Sequence, residues 1–255
     1  MLVARYLIMD LYIRKVWSRP DIVVSQIVRF ERSFGLDAFS LACHCSVLPA
    51  VTPELVNLIN INFLGDYDIN PIHEANFLLS DACMPLFLHQ MYMVEPISRE
   101  VLLEELQDLP KISWKRPFEI AEFLWYYLES SPHKDSEIFP VYWYQYKLLY
   151  FTALAYLEPN RAVLEIEELL KSAIDNYSNC RVSEQGVCEL FALLSDPLFA
   201  TNLIDTYHDL YINTHLLVRL MMEETDGIAE ELKELPRDIK YTIYPEILKQ
   251  IEHKL

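Results

Sequence analysis

The sequence predicts a mainly α-helical protein with a small β element near its middle. Three observations carry this. The 255 residues include only four glycines, and fourteen prolines punctuate the chain instead, which suits helices joined by short loops. The composition is 52% hydrophobic and 13% aromatic, enough apolar content for a well-buried core rather than a disordered chain. Apolar residues recur at helical spacing along most segments, and that spacing lapses in "PLFLHQMYMVE", residues 85–95.

Each element follows from local signals. Residues 2–17 form an amphipathic helix stopped near Pro20. Asp21 is the expected N-cap of a second helix that ends at Gly35, and a third runs from Leu36 to Leu48 before Pro49. Thr52, Pro53 and Glu54 spell a helix start: a capping hydroxyl, a proline at the first helical position and an acid in the first turn. That helix ends at Gly65. Asn70 and Pro71 open the next, "IHEANFLLSDA". Residues 85–95, apolar and flanked by Pro85 and Pro96, predict one or two short strands, a small hairpin. "PISREVLLEELQ" returns to helix. "DLPKISWKRP", residues 108–117, is the expected domain boundary, dividing the chain into 1–110 and 111–255. Beyond it the pattern predicts helices over "FEIAEFLWYYLES", Val141–Leu157, "RAVLEIEELLKSAI", and residues 184–195, 198–224 and 245–253. The acid-rich run from Glu223 to Leu235 reads as solvated surface.

Charge and motif content narrow the function classes. A net charge of −17 repels nucleic-acid phosphates and anionic membranes. The one basic cluster, Lys111, Lys115 and Arg116, reads as a solvated interdomain loop. Five cysteines inside apolar segments fit a reduced, cytoplasmic compartment rather than a disulfide scaffold. The N-terminus is broken by Arg5, Asp10, Arg14 and Lys15, so it is not read as a signal peptide. No run reaches the roughly 18 apolar residues of a membrane span. There is no glycine-rich phosphate loop and no nucleophile-elbow motif. The expectation is therefore no enzyme, no catalytic residues and no cofactor.

Metal binding is weighed at Cys43, His44 and Cys45. On a helix successive residues turn by about 100°, so the two thiols point to nearly opposite sides and read as small buried hydrophobes. His44 falls near Asp37 and Ser40 on a narrow polar wedge. His208 and His215, with Asp205, share a helical face but lack the usual ligand spacing. A Cys83 thiol paired with His73 or His89 is the remaining nucleophile to consider, and its apolar setting argues for inertness. No metal site is expected.

The richest feature is "VYWYQYKLLYFTALAY", residues 141–156. Tyr142, Tyr146 and Tyr150 share one helical face, and Trp143 points elsewhere. Such stripes are usually core. Aromatics on several faces also suit a protein contact, since Tyr and Trp combine apolar area with a polar tip. Tyr142, Trp143, Tyr146 and Tyr150 are the candidate interaction residues.

The order helix, helix, helix, β-wing, helix over residues 36–107 resembles a winged helix. "LACHCSVLPAVTPELVNLI" and "MYMVEPISREVLLEEL" look like the segment that follows the nucleotide-binding module of signal-transducing STAND ATPases. The helices on either side of "EPN" resemble a tetratricopeptide-type hairpin, with no second copy at a fixed period. The fold class is thus a winged-helix-like N-terminal half with a small β-wing, followed by a helical-hairpin, tetratricopeptide-like C-terminal half. Over residues 22–175, "FGLDAFSLACHCSVLPAVTPELVNLININFL", "EANFLLSDACMPLF", "MYMVEPISREVLLEELQ" and "YFTALAYLEPNRAVLEIEELL" resemble a helical module of cyanobacterial multidomain proteins. There the module sits beside caspase-like, TIR-like or formylglycine-generating-enzyme-like domains. The resemblance implies an adaptor or sensor for an effector in bacterial signalling or defence, with a protein partner and no catalytic residues. The competing reading is a winged-helix nucleic-acid-binding regulator. Its recognition helix would be residues 70–82, which carry His73, Glu74 and Asp81 but no Lys or Arg. A third reading is a helical enzyme with an unfamiliar site.

Overall fold

The computed structural model describes residues 20–86, 91–110, 112–130, 140–178 and 243–254, together with Asn213, Leu216, Leu217, Arg219, Leu220, Ile228, Leu232 and Lys233. The expected helices at 2–17 and 184–195 lie outside these residues, as does most of 198–224. The chain divides into two compact units, one continuing through Leu157 and the other beginning at Glu158.

The first unit opens with α1 (Pro20–Cys45), which starts at Pro20 and carries Asp21 in its first turn. Its helical dihedrals break at Gly35, with φ 82° and ψ 175°. Nothing lies within 4 Å of where a Cβ would sit, so the left-handed dihedral, not crowding, calls for glycine. This is the helix end that the sequence places at Gly35: one helix stops here and a second follows across a kink. Beyond the bend every residue from Ala38 to Val51 is buried.

The turn after Cys45 is closed by its own groups. Ser46 N–H donates to Ala42 O (3.0 Å), Leu48 N–H to Cys45 O (3.0 Å) and Ser46 Oγ to Cys43 O (2.6 Å). Arg99, 3% exposed, reaches in from a later helix and donates Nε to Ser46 O (2.8 Å) and Nη2 to Val47 O (2.9 Å). These bonds satisfy carbonyls that a buried helix end would otherwise orphan.

Next comes β1 (Ala50–Val51), a strand absent from the sequence reading because two residues carry no alternation. Thr52 caps α2 (Pro53–Phe63) by accepting from Leu55 N–H at 3.1 Å, as its position predicts. Asn70 caps α3 (Pro71–Leu78), accepting from the Ile72 and His73 amides while His73 Nδ1 accepts from the Asn70 amide. The predicted helix ran to Ala82; the observed one stops at Leu78.

Two strands follow, β2 (Cys83–Leu86) and β3 (Met91–Val94), antiparallel with Met84 opposite Met93. β3 also pairs with β1, placing Ala50 opposite Met93, so the sheet order is β1-β3-β2. Pro85 sits in β2, an edge strand, where a missing amide costs no ladder bond. Glu95 caps α4 (Pro96–Asp108) by accepting from Ser98 N–H at 2.6 Å, and α4 packs on α1. The succession helix, strand, two helices, two strands, with the first strand beside the last, is the arrangement expected of a winged helix.

α5 (Arg116–Ser130) packs on α6 (Pro140–Leu157). The composition break at 110/111 falls inside this unit: one core joins Val23 to Ala153 and includes Ile120, Leu124 and Leu149. A smaller cluster of Ala50, Met91, Met93 and Leu148 joins the sheet to α6.

In the second unit α7 (Pro159–Ser178) buries Ala162, Ile166, Leu170 and Ile174, spaced four apart on one face. It packs on α8 (Pro245–Lys254), which buries Ile247 and Ile251. Tyr244 ties the pair together, donating its amide to Asn213 Oδ1 (2.7 Å) and its hydroxyl to Glu167 Oε1 (3.3 Å). The two arms of the expected hairpin, α6 and α7, fall in different units.

Candidate functional site

The Cys43–His44–Cys45 triplet lies in the interior. Both cysteines are fully buried, and burial pushes both thiols well above their ordinary range. Cys83 is buried with the same consequence, so none of the three is an activated nucleophile. The narrow polar wedge on which the sequence places His44 lies inside the fold at this point: His44 is fully buried, as is Ser40. Its Nδ1 lies 2.7 Å from the Ser40 carbonyl. Burial holds the imidazole pKa down to about 4, aided by the charge of Arg116 and opposed by the Ser40 carbonyl. The triplet is structural. Among the described residues no three His, Cys, Asp or Glu side chains converge where an ion could sit. His208, His215, Asp205 and His89 lie outside those residues.

The aromatic helix is partly settled into the fold. Tyr146 and Tyr150 are half-buried. They stack on each other at 6.0 Å, and Tyr150 meets Trp125 of α5 at 5.5 Å. Lys147 places its Nζ 5.2 Å from the Tyr150 ring centre. The side chains of Tyr142 and Trp143 lie outside the described residues.

Helix α3 occupies the position from which a winged helix presents its reading face. Two of its polar side chains are used locally. His73 completes the cap, and Glu74 Oε1 accepts from Asn57 (3.1 Å) and Asn60 (3.0 Å), clamping α3 to α2. What it leaves outward is apolar: Ile72 is 68% exposed, and Leu79, just past the last turn, is 78% exposed. Nearby Asp81 forms an exposed ion pair with Arg29 at 3.0 Å. The sequence reading identified the missing cations and overlooked these two aliphatic side chains.

Of the basic cluster, Lys111 lies outside the described residues, and Lys115 and Arg116 are placed differently. Lys115 lies over Trp114, with Nζ 5.6 Å from the ring centre. Arg116 turns inward: its Nη1 donates to Phe63 O at 2.9 Å, and its Nε lies 3.0 Å from Glu119.

Arg116 forms one wall of an open cleft of about 700 Å3 between the end of α2 and the outer face of α5. Asn62, Phe63, Gly65 and Asp66 line one side; Glu119, Glu122, Phe123 and Tyr126 line the other. The sequence carries a signal for it. Glu119, Glu122, Phe123 and Tyr126 stand at i, i+3, i+4 and i+7, so acids and aromatics share one face of α5, opposite the buried Ile120, Leu124 and Leu128.

No protein-family model, no curated protein and no solved structure matches the chain. Among the described residues no helix is long and apolar enough to cross a membrane.

Proposed function

We propose that this chain is a non-enzymatic protein-interaction module, an adaptor or sensor that couples a partner to an effector in a signalling or conflict system. The carrying observation is the outward face of α3. A nucleic-acid reader needs cationic and amide side chains there. This helix carries no cation and one half-exposed amide, Asn76; it exposes Ile72, with Leu79 just past its end, and its one carboxylate is committed to α2. Exposed aliphatic side chains rimmed by polar groups suit a protein partner. The net charge of −17 also opposes any approach to phosphate. The three described cysteines, Cys43, Cys45 and Cys83, are buried and inert, which supports a non-enzymatic role. The resemblance to modules beside caspase-like or TIR-like domains makes such an effector the natural partner.

A photo-crosslinking residue at position 72 tests this in cells where the protein is native. The expected product is a covalent adduct with a defined protein, reduced about tenfold by L79D. Adducts with nucleic acid, or a retained complex in a low-salt gel shift, would instead support the winged-helix regulator.

A further inference from the structure

We propose that the cleft between the end of α2 and α5 binds a lysine- or arginine-bearing peptide segment of a protein partner. The proposal rests on the protein-binding reading above and adds to it a second site and a partner chemistry. The floor is aromatic: Phe63 and Phe123 meet edge to face at 5.6 Å. Tyr126 stands at the wall, 66% exposed. Three carboxylates, Asp66, Glu119 and Glu122, share the lining with one cation, Arg116. Three negative charges against one positive leave a net charge of −2 at the cleft.

Arg116 itself shows how this cleft holds a guanidinium. It sits 5.5 Å from the centre of the Phe63 ring, donates to the Phe63 carbonyl and lies 3.0 Å from the Glu119 carboxylate. An aromatic face and a carboxylate together offset its charge, and the carbonyl takes one of its N–H groups. Farther along the same face of α5, Glu122, Phe123 and Tyr126 repeat the combination of carboxylate and ring, and Asp66 adds a second acid from across the cleft. Among the described residues no second cation lines the cleft with them. An incoming Lys or Arg would complete the pattern. The charge of the whole chain, −17, draws cations and repels both nucleic acid and a second copy of this chain.

The test titrates the full chain with a blocked peptide of alternating arginine and glycine, followed by NMR. Expected are shift changes confined to residues 62–67 and 116–126, and binding that weakens as salt is raised to about 0.5 M. D66N and E122Q should each weaken binding about threefold. The exposed acids Glu100 and Glu104 on α4 do not line the cleft, so the E100Q/E104Q double variant should bind as well as wild type. Equal weakening by that control, shifts scattered over other surfaces or no binding would overturn the proposal. Competition by spermidine as strong as by the peptide would reassign the cleft to small amines. If crosslinks at position 72 reach a protein while the peptide ignores the cleft, the cleft proposal falls and the protein-binding reading stands. If the peptide binds in the cleft and position 72 captures nothing, the interface at α3 is the part that fails.

Discussion

Two stretches of the first unit make opposite use of their side chains. Residues 38–51 hold two cysteines, a histidine and two serines, all of them buried. The outward sides of α3 and of α5 hold Ile72, Leu79, Glu122, Phe123 and Tyr126, all outside the interior or at its edge. The reactive residue types are thus consumed by packing, while ordinary aliphatic, aromatic and acidic side chains face the outside. Burial raises the thiols and lowers the imidazole, so each favours its neutral form. Residue type alone points to the wrong stretch.

Three measurements would break or sharpen this contrast. The largest effect is expected at Arg99. R99M removes the donors to Ser46 O and Val47 O and leaves two buried carbonyls without them. Urea unfolding should show a loss of about 3 kcal/mol; a loss below about 1 kcal/mol would mean the buried turn holds without its clamp.

The second is His44. Its folded pKa, about 4, lies below the ordinary 6.5. The unfolded chain therefore binds more protons between those values, and stability falls as the pH is lowered. This contribution is fully present above about pH 6.5 and is lost as the pH falls toward about 4. From pH 7 to pH 5 the histidine should cost about 2 kcal/mol. H44L should flatten that slope. An unchanged slope in the variant would place the titration elsewhere.

The smallest effect belongs to the outer surface. I72D/L79D changes two exposed side chains, so its unfolding free energy should stay within about 0.5 kcal/mol of wild type, even as partner capture is lost. A larger destabilisation would show that α3 is supporting the fold rather than offering a face.

Much of the fold is legible one signal at a time. Thr52–Pro53 and Asn70–Pro71 mark helix starts that the hydrogen bonds confirm, because capping is a local matter of a side-chain oxygen and a nearby amide. The β2–β3 hairpin is visible as a lapse in helical spacing. β1 is not, since its two residues are strand only by pairing with Met93 and Tyr92 far along the chain. The burial of His44 is not legible for a similar reason: its helical neighbours Asp37 and Ser40 mark a polar wedge, and only the folded unit shows that His44 is fully buried. Of the candidate contact residues, Tyr146 and Tyr150 are half spent on Trp125 and on each other. The cleft face of α5 could have been read from the spacing of Glu119, Glu122, Phe123 and Tyr126, but the opposing Phe63 and Asp66 lie more than fifty residues earlier.

By itself, then, the sequence determined the helical class, the starts of α2 and α3, the hairpin and the absence of cations on α3. Each of these depends on neighbours within a few positions. The tertiary structure decided that Arg99 clamps the turn at Ser46, that His44 is buried and neutral, and that α2 and α5 line an acidic, aromatic cleft. These depend on groups brought together across tens of residues, where only the folded chain fixes distance, burial and charge.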